Sequence, residues 1–406
     1  MYRSLEEFCH QTWSFHHWPE FYAQGVYERV EAAWVECCKI IPDLLSIWKV
    51  GHVGVPGISD LDLILVFKDQ TAKPDPLIWS IQSLASPGPY IALHEPLIFS
   101  EPIFDKLPFW QIGSFPEKLW GDGALPYKVD DRDARLLGII ALMDGCIQLQ
   151  PRMLLGMFLS GSIHVRAALC QINAIGHMLK LFKQATTTTT TPWDAFTEDF
   201  MEYRQNWFSL TAAEQKQLPY YIAESLTIAY ELMAELLEYL ADNNFFRTSS
   251  SRSCVLYTAV SRQTVFLLDW KPETALTYTL QRKSKPHNLV LFLPLAFVLP
   301  VIVHREINGV LSSFVRKFSS VRSVCPGYWD PRLLQLAVEH ARTHNEHIQF
   351  LLSNGFLTYN ANFHGMGLNA PYLLDMPYRR FLRQIYYLLL SVQSRVKLCA
   401  FLKGVK

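Results

Sequence analysis

Two aspartates stand two residues apart at the start of an apolar run, and this spacing suggests a site for a hard cation. Asp60 and Asp62 belong to the segment DLDLILVF, residues 60–67. If the segment is a β-strand, side chains alternate between its faces, so both carboxylates project from the side opposite Leu61 and Leu63. Carboxylate oxygens are ligands that Mg²⁺ prefers. We therefore predict a two-carboxylate metal site at the mouth of this strand.

A glycine turn precedes the two aspartates. Residues 44–50 have the composition of a strand, and Gly51 follows, where a residue without a Cβ can turn sharply or approach a ligand. Apolar residues at helical spacing predict a helix over residues 19–41, before this strand. The elements that must position the aspartates are thus a helix, a strand, a turn and a second strand.

A third acid follows in the next predicted strand. Residues 77–84 favour a short helix, and residues 90–100, YIALHEPLIFS, favour a strand that Glu95 interrupts. A buried ionised carboxylate is costly unless it is paired or binds a cation. Glu95 is therefore the predicted third metal ligand. The alternative for the aspartates is structural, with Asp60 ending a turn and Asp62 pairing with Lys49.

This order of features resembles the DNA polymerase β-like nucleotidyltransferase superfamily. Its pattern is an apolar residue, Gly, then Gly or Ser, a loop, an Asp-apolar-Asp-apolar strand and a third carboxylate on a later strand. Here Val50 and Gly51 begin the pattern, His52 stands where the family has the smaller residue, and residues 60–63 supply the strand. The VPG at residues 55–57 is similar to the loop of the GrpB-like members. The resemblance covers residues 19–100 of the chain.

The resemblance implies a reaction and a role for each residue. An NMP would move from an NTP to an unknown hydroxyl or phosphate acceptor, with release of pyrophosphate. Asp60 and Asp62 would hold Mg²⁺ or Mn²⁺, and Glu95 would assist the metal that activates the acceptor. Backbone amides at the turn would bind phosphates, and two later lysines would face them, although solvated positions explain those lysines equally well. The implied nucleotide-binding residues are Gly51, His52, Lys118 and Lys128.

The overall charge limits the partners of the protein. Lys plus Arg and Asp plus Glu both number 37, so no global field attracts nucleic acid. A small molecule or a protein is therefore favoured over a long nucleic acid as the acceptor. The alternative to an enzyme is a catalytically silent protein with the same fold that acts as a binding or interaction module. The oligomeric state stays open.

Cysteine spacing and segment composition favour a cytoplasmic protein. The 8 cysteines include no CxxC pair, so neither a structural zinc site nor a disulfide framework is indicated. The first residues carry acids and no apolar segment of a secretory signal. The apolar run of residues 289–303 contains two prolines and is too short to span a bilayer. A buried core segment is favoured over membrane insertion.

The whole pattern predicts an α+β fold, with a small mixed nucleotidyltransferase sheet and helices followed by a large, mainly helical region. The predicted domains are residues 1–129, 130–247 and 248–406. Residues 113–126 are irregular, and residues 186–191 form a threonine connector. His340, His344 and His347 recur at helical spacing and indicate a boundary face of a packed helix rather than a metal site. Further helices are expected at residues 136–149, 153–183, 192–208, 219–241, 330–354 and 378–402.

Overall fold

The computed structural model describes most of the chain up to residue 247 and several segments beyond it. Among the described residues, no helix is long and apolar enough to cross a membrane. The helix predicted over residues 378–402 and the second half of the apolar run 289–303 lie outside them. The described residues are 12–69, 76–92, 95–110, 116–148, 150–247, 254–258, 265–267, 271–272, 290–294 and 328–354.

The described strands form small sheets. They are β1 Ser14–His16, β2 Leu44–Val50, β3 Asp62–Phe67, β4 Leu97–Ser100, β5 Glu117–Gly121, β6 Ser162–His164, β7 Phe246–Arg247, β8 Cys254–Thr258, β9 Val265–Leu267, β10 Val290–Pro294 and β11 Tyr328–Trp329. The largest sheet has the order β4-β3-β2-β5. In it β3 is parallel to β4, and β2 is antiparallel to both of its neighbours. The smaller sheets are β1-β6, β11-β7 and β10-β8-β9.

Helices dominate the rest of the described chain, so the fold is mixed α+β, as the sequence predicts. The helices α1 to α11 are Gln24–Lys39, Pro76–Trp79, Gly88–Ile91, Glu101–Asp105, Asp131–Gln148, Gln150–Ser160, Val165–Thr186, Asp194–Gln205, Ala212–Gln215, Leu218–Asp242 and Pro331–Ser353. Single 3₁₀ turns are Ile81–Ser83, Leu107–Trp110 and Trp207–Ser209. The sheet of four strands and the helices α5, α6, α7 and α10 form its two main parts.

Two hydrophobic cores follow from this division, and two elements reach from one core into the other. The sheet core holds β2, β3, β4 and α1 side chains, and the helical core holds the inner faces of α5, α6, α7 and α10. Val55 and Ile58, from the loop between β2 and β3, are buried in the helical core. Helix α11 buries Leu333 in the helical core and Leu351 in the sheet core. The loop and α11 therefore join the two parts.

Several predicted elements are confirmed, and their ends follow the expected capping. Strand β2 has the predicted bounds, and α1 and α10 lie within a few residues of theirs. At the start of α5, the Asp130 carboxylate accepts a 2.8 Å hydrogen bond from the Asp133 amide. At the start of α11, the Asp330 carboxylate accepts from the amides of Arg332 and Leu333, each at 2.9 Å. These bonds satisfy amides that a helix leaves without intrahelical partners.

The third predicted strand begins later than expected, and its prediction from residue 90 was wrong. Residues Gly88–Ile91 form the short helix α3, and β4 begins only at Leu97. Pro89 lies in the first turn of α3, where its fixed φ angle suits a helix. Glu95 therefore lies before the strand rather than within it.

Two further predictions were wrong because a local feature overrides the periodicity. The stretch 113–126, which was predicted to be irregular, contains the edge strand β5. Its exposed Glu117 and Lys118 interrupt the alternation of apolar residues from which a strand would be predicted. The helix predicted over residues 153–183 is divided into α6 and α7. Gly161, between them, has a φ of 65°, which ends a helix and allows β6 to pair with β1.

Candidate functional site

The two predicted aspartates lie at the loop that joins β2 to β3. Val50, the last residue of β2, pairs with Asp62, the first residue of β3. Gly51 follows Val50 with a φ of 74°, a left-handed conformation that glycine adopts without steric cost. A Cβ at Gly51 would meet no heavy atom within 4 Å outside its chain neighbours. The turn thus leaves open space beside the start of β3.

Asp60 lies just before β3, so strand alternation does not place it beside Asp62. Its neighbour Leu61 donates its amide to the Ile91 carbonyl at 3.3 Å and is buried, while both aspartates are half-buried. Burial, and then the negative charges of Asp60 and Asp62, raise the pKa of the Cys170 thiol to about 11. Both carboxylates therefore lie near Cys170 on α7. Strand alternation, on which the prediction relied, is not what places them there.

Lys49, the alternative partner of Asp62, has other neighbours. Its ammonium lies 3.1 Å from the Glu31 carboxylate and 3.3 Å from the Glu117 carboxylate. Lys49 pairs with Leu63, whereas Asp62 is opposite Val50, so Lys49 and Asp62 project from opposite faces of the sheet. The ion pairs of Lys49 belong to the face covered by α1, which carries Glu31.

Two tyrosines hold the loop before Asp60. The Tyr27 hydroxyl donates to the Ser59 carbonyl at 2.7 Å and accepts from the Gly57 amide at 2.8 Å. The Tyr90 hydroxyl donates to the Gly57 carbonyl at 2.7 Å. Gly57 has a φ of 89°, and a Cβ there would stand 2.1 Å from the Glu20 carbonyl oxygen. Backbone contact therefore requires glycine at this position.

Two buried arginines from the helical part complete the support of the loop. Arg166 on α7 donates to the carbonyls of Ile58 at 3.1 Å and Ser59 at 3.0 Å, and also to that of Tyr90. Arg204 on α8 donates to the Ser59 hydroxyl at 2.9 Å. The two arginine residues are 3% and 4% exposed. Since buried charges require hydrogen-bond partners, the loop and the arginines stabilise each other.

Glu95 lies at the same edge of the sheet as Asp62, but its carboxylate has other partners. Asp62 and Glu95 each precede by two residues the paired Ile64 and Leu97 of the parallel strands β3 and β4. The Glu95 carboxylate accepts from the Ser80 hydroxyl at 2.9 Å and from the Ile81 amide at 2.8 Å. It thereby caps the 3₁₀ turn Ile81–Ser83.

The donor set suits a hard cation in part. Asp60 and Asp62 supply carboxylate oxygens, which are the ligands that Mg²⁺ or Mn²⁺ needs. Glu95 would first have to release Ser80 and Ile81. Within the ranges that the structure describes, no three His, Cys, Asp or Glu side chains are grouped so that they could hold a metal ion. Asp60 and Asp62 both lie near Cys170, whereas the Glu95 carboxylate binds the 3₁₀ turn.

The predicted nucleotide-binding residues occupy different places. His52 is exposed just after Gly51, on the loop itself. Lys118 pairs with Trp48, two residues before Val50, so it shares the sheet face of Asp62, and its ammonium lies 5.2 Å from the centre of the Trp48 ring. Lys128 is exposed between β5 and α5.

The sequence analysis missed the helical side of the site. Arg166, Cys170 and His177 recur on α7 at spacings of four and seven residues, so they form a polar stripe on one face of an apolar helix. These residues could have been predicted from that polar stripe. Arg204 offered no such signal, because it is a single basic residue at the end of the amphipathic helix α8.

We compared the chain with models of protein families, with curated proteins and with solved structures, and none of them matched. The chemistry of the site must therefore be inferred from its geometry. That geometry consists of two carboxylates, a glycine turn and a loop bound by two buried arginines.

Proposed function

We propose that this protein is a metal-dependent nucleotidyltransferase, which moves an NMP from an NTP to a hydroxyl or phosphate acceptor and releases pyrophosphate. The proposal depends on one observation above all: Asp62 opens β3 directly beside the Gly51 turn, with Asp60 two residues earlier. The sheet supports it, since the resemblance implies a small mixed sheet, and β3 is antiparallel to β2 and parallel to β4.

Each residue then has a task in the transfer. An acceptor oxygen forms a bond to the α-phosphorus while the bond to the bridging oxygen breaks, and pyrophosphate leaves with that oxygen. Asp60 and Asp62 would hold Mg²⁺ or Mn²⁺, which when bound offsets the charge on the reacting phosphates. The open side of Gly51 lets a phosphate approach the backbone. Arg166 and Arg204 keep the loop in place without needing to touch the substrate.

One observation favours a second function. The Glu95 carboxylate is bound by Ser80 and Ile81, so the third predicted ligand already has a structural task. A nucleotidyltransferase-like protein without its third ligand would bind a nucleotide or a partner and leave it unchanged. We keep a catalytically silent binding module as the second candidate.

The decisive experiment is a screen for pyrophosphate release with ATP, CTP, GTP and UTP against hydroxyl and phosphate acceptors. Asp62→Asn removes a charged metal ligand, so the rate should fall by at least about a hundredfold. Asp69→Asn is the matched control, because Asp69 is exposed just beyond the other end of β3. Equal rates for Asp62→Asn and the wild type would refute the assignment of the site.

Glu95→Gln separates the two candidates further. The glutamine carbonyl can still accept a hydrogen bond at the 3₁₀ turn, but it lacks the charge of a metal ligand. A loss of rate with unchanged thermal stability would identify Glu95 as a ligand in the working state. Heats of nucleotide binding by titration calorimetry, with no pyrophosphate released from any NTP, would favour the silent module.

A further inference from the structure

A pocket of about 440 Å³ lies against the loop between β2 and β3. One wall is the loop itself, at residues 54–56. The other walls are Phe21, which precedes α1, and residues 205–209, at the end of α8 and in the 3₁₀ turn that follows. The volume is in the range of small-molecule sites. No residue of this pocket has a task in the proposed transfer.

Two phenylalanine rings form a corner in the pocket. The ring centres of Phe21 and Phe208 are 5.4 Å apart, and the ring planes are at 81° to each other. Phe21 is 71% exposed, so its ring is open to a ligand. A flat ring that stacks on one phenylalanine meets the edge of the other, and both arrangements are favourable for aromatic pairs. The corner therefore suits a planar aromatic ligand.

The remaining side chains of the pocket are mainly polar but uncharged. Gln205 and Asn206 are exposed, and the carboxamide of each offers two N–H donors and an acceptor. The Ser209 hydroxyl donates to the Asn206 carbonyl at 2.8 Å, so its oxygen can still accept. None of the described residues that line the pocket is charged, so the lining does not favour a phosphate or a carboxylate. Carboxamides pair with the edges of nucleobases.

Contacts behind the walls fix the shape of the pocket. The Val55 amide donates to the Ser59 hydroxyl at 3.0 Å, and the Val55 carbonyl accepts from the Ser59 amide at 2.8 Å. A Cβ on Gly57 would stand 2.9 Å from Cζ of Phe208, so the ring packs closely against the loop. A pocket whose walls are held in this way loses little conformational entropy when a ligand binds.

We infer that this pocket binds an uncharged nucleobase. Phe21 and Phe208 hold the ring, and the carboxamides of Gln205 and Asn206 read its edge. We call the pocket the base pocket. Stacking on the phenylalanines stabilises any base, because every base has an aromatic face. The carboxamides distinguish one base from another, because each base has its own pattern of donors and acceptors.

The base pocket lies within reach of the glycine turn. Gly54 is three residues after Gly51, so their Cα atoms are at most about 11 Å apart. This is the scale of one nucleotide, so a base in the pocket and phosphates at the turn can belong to the same NTP. The inference deepens the proposed function and rests on it for that link alone. Binding of the base itself requires neither a metal nor a phosphate.

Saturation-transfer NMR titrations with adenosine, guanosine, cytidine and uridine in EDTA test the binding. Phe21→Ala should weaken the binding of every nucleoside that binds by roughly tenfold, because it removes a stacking surface. Ile40→Ala is the matched control, since Ile40 is 72% exposed and follows the other end of the 16-residue helix α1, about 24 Å away along its axis. Affinity in this control should stay within about twofold of the wild type.

A double variant, Gln205→Leu with Asn206→Leu, tests the reading of the base edge. Both positions are exposed, so the substitutions leave the cores unchanged. The wild type should prefer one of the four nucleosides by at least about fivefold, and the double variant should bind all four within about twofold of one another. Indole, which lacks the edge pattern of a base, should bind the wild type more weakly than the preferred nucleoside.

The inference and the proposed function can fail separately. Nucleosides that do not bind the wild type, that bind Phe21→Ala as tightly, or that bind no better than indole would overturn the base pocket. Nucleosides that bind as expected, while no NTP releases pyrophosphate, would confirm the base pocket and refute the transfer. Pyrophosphate release with a KM for NTP that Phe21→Ala leaves unchanged would support the transfer and overturn the base pocket.

Discussion

The loop between β2 and β3 and the helix α11 both join the two cores, but they do so with different side chains. In the loop, Arg166 binds the carbonyls of Ile58 and Ser59. On α11, His340 donates from Nδ1 to the Phe109 carbonyl, and His347 donates from Nε2 to the Ile98 carbonyl. In both regions, a side chain from one part of the molecule satisfies backbone oxygens of the other.

The difference lies in how each donor responds to protons. The arginine stays charged at any ordinary pH, so its bonds to the loop do not change with pH. A histidine changes its charge near neutrality, and burial lowers the pKa of His340 to about 4. His347 is also buried, and it stacks on Phe99 with the ring centres 4.5 Å apart. The loop beside the candidate site is therefore fixed, whereas the attachment of α11 should be sensitive to acid.

The largest expected effect comes from breaking the arginine contact. Arg166→Met leaves the buried carbonyls of Ile58, Ser59 and Tyr90 without this donor, and should lower the free energy of unfolding by about 3–5 kcal/mol. Denaturant titration followed by tryptophan fluorescence measures the loss. Arg132→Met, at an exposed position of α5, is the control and should change stability little. Equal stability of both variants would contradict the role of Arg166.

The pH dependence of stability should report on the histidine contact. The pKa of His340 is about 4 in the folded protein and near 6.5 in the unfolded chain, so the unfolded chain takes up a proton first as the pH falls. Stability should be constant from this source above pH 6.5 and decline by roughly 3 kcal/mol as the pH falls towards 4.

Denaturant titrations at several pH values give this slope, and His340→Asn should flatten it whatever the absolute stability of that variant. His17→Gln, at an exposed histidine, is the control and should leave the slope intact. An unchanged slope in His340→Asn would show that another group causes the acid sensitivity.

A smaller effect should follow from a methyl group in the loop. Gly57→Ala requires a φ of 89° and places a Cβ against the Glu20 carbonyl, so it should cost about 2 kcal/mol. Gly25→Ala is the matched control in α1, where alanine favours the helix and should stabilise slightly. The pair can be compared by thermal unfolding. If Gly57→Ala is as stable as Gly25→Ala, the loop is less constrained than its contacts indicate.

Local pattern was sufficient for elements whose side chains face one kind of environment. β2 was predicted to the residue, and the Asp330 cap of α11 was found from its sequence. The packed face of α11 is confirmed for His340 and His347, which are both buried. The local sequence pattern failed for β5, because this edge strand with exposed residues carries no apolar alternation.

The local sequence pattern revealed only part of the candidate site. Gly51 and His52 follow Val50, which pairs with Asp62, so the order of the chain reveals these residues. Arg166 and Arg204 lie more than a hundred residues away, and although Arg166 belongs to a polar stripe, no local pattern shows that the two arginines bind Ser59. For Glu95 the error is the opposite one, because a role was predicted that its contacts do not show. Its position in the sequence suggested a metal ligand, whereas its carboxylate accepts hydrogen bonds from the 3₁₀ turn.

The sequence by itself determined where the chain can turn and where it can place acids: a glycine of positive φ at Gly51 and a carboxylate at the first residue of β3. These are properties of single residues and their neighbours. Only the tertiary structure decided which donors meet the loop. The physical reason is that a buried backbone carbonyl accepts any suitable donor, so its partner is chosen by packing between the two cores.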